Sequence, residues 1–317
     1  MLARPVEVSE KTNVPKLEIY RVTTGPFLLL NGFVKARSGI RLLTQHDVGA
    51  ALTLQRPEGW NQTERDWFRL LQLAPTGCFA AEVDGHVVAT VTTITYGGAL
   101  AWIGMMLVAP DCRRRGIGAQ LLSTALDHLQ TAGIAAVKLD ATPAGRPLYE
   151  VQGFVREGLI ERWETVAQNK IVNCDQALYT ETRHKIHAFD RSVFGADRTR
   201  LLDALIADSV IVPQVVMTSD GRLKGYALAR RGLAATYVGP IIAQDEPTAL
   251  DLLDRMLDQL NGGRVYLDLH RGCGATGEAL VKRGFAKQRE LLRMYYGSKQ
   301  VAATSSLVFA ITGPELG

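Results

Sequence analysis

The chain has 317 residues, 47% of them apolar and 21% charged, and a formal net charge of +4. Such a composition excludes a disordered or fibrous chain, and the length suffices for two ordinary domains, each burying its own core. A charge this small, with no dense Lys/Arg run except at Arg113–Arg115, excludes nucleic acid as a main partner. Residues 1–37 fit no pattern and are read as an N-terminal extension. Their apolar run Phe27-Leu28-Leu29-Leu30 is far too short to span a membrane, and no apolar core of signal-peptide length stands beside it, so no membrane partner and a cytoplasmic location are expected. Residues 40–43 then read as a strand, and 44–54 as a helix capped by Thr44. A loop over 57–62 leads to a second helix over 63–73. Strands follow over 78–83 and 87–94, joined by Asp84-Gly85, a hairpin turn signal.

Residues 101–108 form a short apolar run of strand length, and Ile117, Leu121, Leu122, Ala125, Leu126 and Leu129 recur at helical spacing. The loop between them, Ala109-Pro110-Asp111-Cys112-Arg113-Arg114-Arg115-Gly116, therefore opens a helix. A first helical turn leaves N–H groups without partners and carries the positive end of the helix dipole, so an anion is stabilised there. Gly116 and Gly118 let such an anion approach, and three arginines complement a pyrophosphate. A glycine pair alone would merely shape a turn; strand, arginines, glycines and amphipathic helix in this order point to a phosphate site. Cys112 reads either as a thiol activated by its arginine neighbours or as an incidental loop residue. Cys78, Cys112, Cys174 and Cys273 have no metal-ligand spacing, so neither a metal nor a disulfide framework is expected. A strand over 137–141, a short helix carrying Leu148-Tyr149-Glu150, and Gly153-Phe154 come next.

The Arg-x-x-Gly-x-Gly loop after a strand and a proline, with Leu148-Tyr149-Glu150 and Gly153-Phe154 behind it, resembles the acyl-CoA site of the GNAT acetyltransferase superfamily over residues 38–165. The resemblance implies acetyl-CoA, or another acyl-CoA, as co-substrate. It implies binding by Leu107, Val108, Arg113, Arg114, Arg115, Gly116, Ile117, Gly118, Ala119, Thr142 and Arg146, with the backbone of Leu107 and Val108 pairing with the pantetheine arm as an added strand does. It implies Tyr149 as general acid toward the departing thiolate; from its helix position alone Tyr149 reads equally as an amphipathic core anchor. Many members carry a basic carboxylate on the strand before the loop, but Trp102-Ile103-Gly104-Met105-Met106 offers none. Asp140, on the next strand, is the nearest carboxylate and reads either as that base or as a structural cap. Trp60, Asn61 and Gln62 fall in the loop that borders the acceptor in this superfamily, or form a packed loop.

Further helices are read near 182–194 and 198–207, strands over 210–217, 223–229 and 234–242, a helix over 247–260, a strand over 265–269, then a short helix before Gly284-Phe285. This repeats the first half, with Pro110 to Gly153 and Pro240 to Gly284 nearly equal in spacing. Gln244-Asp245-Glu246-Pro247 replaces the arginine–glycine loop, and Leu280 stands where Tyr149 does. The expected fold is α/β (α+β): two tandem GNAT-like domains, each a mixed, mostly antiparallel sheet flanked by helices. Residues 38–171 form the acyl-CoA-binding, catalytic one, 172–296 a degenerate one that shapes the acceptor site or makes a homodimer contact, and 297–317 a C-terminal tail. The expected activity is acyl transfer to the amine of a small-molecule acceptor; the alternative is a non-catalytic acyl-CoA-binding or sensing module acting on a partner.

Overall fold

The structure, a computed structural model, describes residues 38–168, 180–260, 262–271, 276–297 and 305–317. The expected N-terminal extension and the boundary at 171/172 lie outside these residues. The first half runs β1 (Ser38–Leu42), α1 (Val48–Gln55), α2 (Glu64–Leu73), β2 (Cys78–Val83), β3 (His86–Tyr96), β4 (Leu100–Val108), α3 (Ile117–Thr131), β5 (Ala136–Ala141), α4 (Arg146–Val151) and β6 (Val155–Val166). Local chemistry explains these elements. Asp84 and Gly85 both have positive φ, as the tight turn of the β2–β3 hairpin requires. Thr63 and Asp66 cap α2 reciprocally, the Asp66 carboxylate accepting from the Thr63 N–H at 2.7 Å. Trp67, Leu70 and Leu71 on α2 are buried, and the Trp67 indole N–H donates to the Gln55 side chain at 3.0 Å, so burying the ring leaves no polar atom unpaired.

The second half repeats the order: α5 (Thr180–Phe194), α6 (Thr199–Ala207), β7 (Gln214–Met217), β8 (Leu223–Arg230), β9 (Thr236–Ala243), α7 (Glu246–Gln259), β10 (Arg264–His270), α8 (Thr276–Lys282) and β11 (Ala286–Gly297), followed by β12 (Val308–Ala310). Among the described residues no helix is long and apolar enough to cross a membrane.

The two halves do not keep separate sheets. All eleven principal strands form one sheet in the order β1-β2-β3-β4-β5-β11-β6-β10-β9-β8-β7, with β12 paired to β9. Each half gives its last strand to the other: β11 lies beside β5, and β6 beside β10. The exchange carries matching ion pairs. Arg293 of β11 faces Asp140 of β5, and Arg162 of β6 faces Asp268 of β10; both pairs are bidentate and buried.

These pairs fix the internal alignment. Asp140 and Asp268 correspond, 128 positions apart, whereas Ala101 and Thr236, which pair with the matching positions Val137 and Val265, lie 135 apart. The second half therefore lacks seven residues between β9 and β10, six of them before α7, the place of the arginine–glycine loop. The Pro240 landmark is corrected accordingly: Pro240 lies inside β9, whereas Pro110 follows β4. The Tyr149–Leu280 correspondence holds, since Phe154 N–H donates to the Tyr149 carbonyl and Phe285 N–H to the Leu280 carbonyl, each at 3.0 Å.

Within the expected C-terminal tail, the described residues from Val308 onward are core structure. The side chains of Val308 to Thr312 and of Glu315 and Leu316 are buried. The Trp102 indole N–H donates to the Pro314 carbonyl at 2.9 Å, the Tyr96 hydroxyl to the Leu316 carbonyl at 2.7 Å, and Arg230 to the Thr312 carbonyl at 2.6 Å. Gly104 makes room for this segment: a Cβ there would stand 2.8 Å from the Glu315 Cα.

Candidate active site

β4 and β5 run parallel and pair only from Leu100–Ala136 to Trp102–Lys138; beyond that the ladder stops. A cavity of about 460 Å³ opens there, bounded by the rest of β4, the loop after it, Tyr149 of α4, Arg289 and Leu291 of β11, and Pro314 and Glu315.

At one end stands the opening of α3. Arg114 and Gly116 have φ of 60° and 83°, which turn the chain so that the helix starts at Ile117. The first N–H with a helical acceptor is that of Gln120, bonded to the Gly116 carbonyl at 3.0 Å, so the N–H groups of residues 117–119 open the turn without helical partners. Gly118 packs 3.5 Å from Val108 and Leu148 as measured from its ideal Cβ position, bringing the turn against the strand. Leu107, Val108, Arg113, Arg114, Gly116, Ile117, Gly118, Ala119 and Thr142 all line the cavity.

Several expected roles are corrected. Arg113 is turned back on the protein, donating to the Val108 carbonyl at 2.9 Å and pairing with Glu58 at 2.5 Å, so it braces the loop. Arg115 and Arg146 do not line the cavity, and Arg146 pairs with Glu150 one turn along α4. The Thr142 hydroxyl accepts from the Gly145 N–H at 3.1 Å and so shapes the turn before α4. The Cys112 thiol is not activated: loss of hydration and the Asp111 carboxylate push its pKa up, outweighing Arg115. Asp140 also lines the cavity; Arg293 holds both its oxygens, and the same pair recurs as Asp268–Arg162 in the half without the loop, which favours the structural reading. Asn61 clamps the second half, accepting from the N–H groups of Ala234 and Ala235 at 2.9 and 3.0 Å and donating to the Ala235 carbonyl at 3.0 Å. Trp60 and Gln62 do reach the cavity.

Tyr149 and Glu315 also line it. The Tyr149 ring packs edge-on to Phe154, and burial pushes the hydroxyl pKa upward, so the phenol stays protonated. Glu315 is 3% exposed, accepting from Gln62 Nε2 at 2.6 Å and from Arg230 at 2.9 Å. Burial raises its pKa above the usual 4.5, with Arg230 working the other way and Asp66 adding to the rise. Arg230 in turn touches Asp66, which pairs with Arg69, so the carboxylate is fixed by a network spanning both halves. Sequence reasoning missed Glu315 because nothing in its neighbourhood carries a motif. The available signal was Gly104, a strand glycine marking close approach by another backbone. Among the described residues no group of side chains has metal-ligand geometry.

The second half has no counterpart of the helix opening. Asp245 caps α7 itself, accepting from the Thr248 N–H at 2.9 Å, and also pairs with Lys224 at 3.0 Å.

Comparison with known proteins finds the same kind of domain in each half. Residues 46–154 match the model of the acetyltransferase (GNAT) family, and residues 186–310 match that of an acetyltransferase (GNAT) domain. The chain is 27% identical to the uncharacterized N-acetyltransferase YitH of Bacillus subtilis over 282 residues, 88% of this chain and 98% of that one. It is 25% identical to holothin acyltransferase of a Pseudoalteromonas species over 263 residues, 82% of this chain and 88% of the other. A solved putative acetyltransferase from Pyrococcus horikoshii shares the fold, with a TM-score of 0.74 at 21% identity, over 92% of this chain and 99% of that one.

Proposed function

Because the chain belongs to the GNAT acetyltransferase superfamily and carries two such domains in tandem, we propose that its first half passes an acetyl or other short acyl group from acyl-CoA directly to the amine of a small acceptor. Acyl transfer from an acyl-CoA goes with the family. The supporting observation is a cavity whose lining includes an unsatisfied helix opening together with Tyr149 and Glu315. The residues fit an acyl-CoA: the N–H groups of residues 117–119 suit its pyrophosphate, and the unpaired stretch of β4 suits the amides of its pantetheine arm.

An ammonium has no lone pair, so the acceptor must first lose a proton. Glu315 takes it, held ready by Gln62 and Arg230 and made more basic by burial. The amine nitrogen then bonds to the acyl carbon as the carbon–sulfur bond breaks; the departing thiolate takes the Tyr149 proton, and the second proton that nitrogen sheds as the neutral amide forms restores the tyrosine. Glu315 supplies the carboxylate that β4 lacks, which removes the main ground for a non-catalytic binding module. Tyr149→Phe is expected to bind acetyl-CoA as the wild type does while turnover falls about 10²- to 10⁴-fold. Calorimetry beside a thiol-release assay checks this; unchanged turnover would remove Tyr149 as the acid.

A further inference from the structure

Every deeply buried arginine among the described residues has a carboxylate partner: Arg69 with Asp66, Arg162 with Asp268, Arg198 with Asp190, Arg230 with Glu315 and Arg293 with Asp140. Arg289 is different. It lines the cavity from β11, a strand given by the second half, and its Nε is buried with no hydrogen-bond partner. Its neighbour across the ladder is Arg162, another cation, and Asp268, a carboxylate within electrostatic reach, is already held in both oxygens by Arg162. Arg289 and Glu315 both line this cavity, and Arg162 and Tyr237 lie within electrostatic reach of each. A partly buried guanidinium facing a like charge, with no counter-ion among the described residues, is costly unless a bound molecule brings the anion.

Building on the transferase reading, we propose that the acceptor is an amine that also bears a carboxylate, with Arg289 holding the carboxylate and Glu315 meeting the ammonium. A planar carboxylate matches the guanidinium fork, and the second half thereby determines acceptor choice although it has no helix opening of its own. The test is an acetyl-transfer screen over three sets of small amines: amino acids of varied chain length, the same compounds as amides or decarboxylated amines, and polyamines. Wild type is expected to favour the carboxylate-bearing set by about 10- to 100-fold in kcat/KM. Arg289→Ala should erase that preference and Arg289→Lys restore part of it, both binding acetyl-CoA like wild type. Turnover confined to uncharged or polycationic amines, no turnover of any amino acid, or an undiminished preference in Arg289→Ala overturns the proposal. Failure of the wild type to bind acetyl-CoA is a separate result, and overturns the transferase reading itself.

Discussion

At the level of single residues, the site separates into side chains whose meaning is local and side chains whose meaning depends on a distant partner. Tyr149 belongs to the first kind: it stands a fixed few positions before Gly153-Phe154 on α4, a local pattern that marks the position, and the structure sets it in the cavity wall. Asp140 belongs to the second. Its position near the end of a strand is equally compatible with a base and with a structural partner, and only the Arg293 guanidinium at 2.8 Å decides between them. Glu315 reaches Gly104 by backbone proximity that no local pattern encodes. Its elevated pKa has a consequence for rate. The working form is the carboxylate, so kcat/KM should fall as pH drops through a value above the ordinary 4.5 of a glutamate, and Glu315→Gln should lose both the acid limb and most of the activity. A pH–rate profile of the two proteins checks this, and an acid limb retained in the glutamine variant would assign the proton to another group.

Elements were legible to the extent that their signals are short-range. Helix caps, hairpin turns and the loop opening α3 follow from residues within a few positions of each other, as at Thr63–Asp66 and Asp84-Gly85. The duplication was visible too, but spacing between prolines misled its detail: the second half has lost seven residues after β9, and Pro240 lies in the strand. The repeated Asp–Arg pairs give this scale its prediction. Asp140→Asn and Asp268→Asn each leave a buried guanidinium without its counter-charge, so each should destabilise the fold by about 3–5 kcal/mol. Comparable losses in denaturant unfolding would place both in the architecture. A variant Asp140→Asn that kept wild-type stability yet lost turnover would return Asp140 to the chemistry.

In the whole molecule, the strand exchange makes the two halves one sheet, and with it one site. Strand content can be read from the chain, but which strand lies beside β5 is settled by long-range pairing; β11 and β6 carry no local mark of having traded places. The exchange brings Arg289 and Leu291 to the wall of a cavity whose helix opening belongs to the first half, while the segment after β12 closes it with Glu315. The second half thus contributes side chains to the wall of the cavity that opens beside α3. The most direct measurement is calorimetric titration of acetyl-CoA into the wild type and into Gly118→Glu, which sets a carboxylate at the opening of α3. One site per chain, lost in the variant with its melting temperature retained, is the predicted result; two sites per chain, or binding that survives the substitution, would contradict a single acyl-CoA site in the first half.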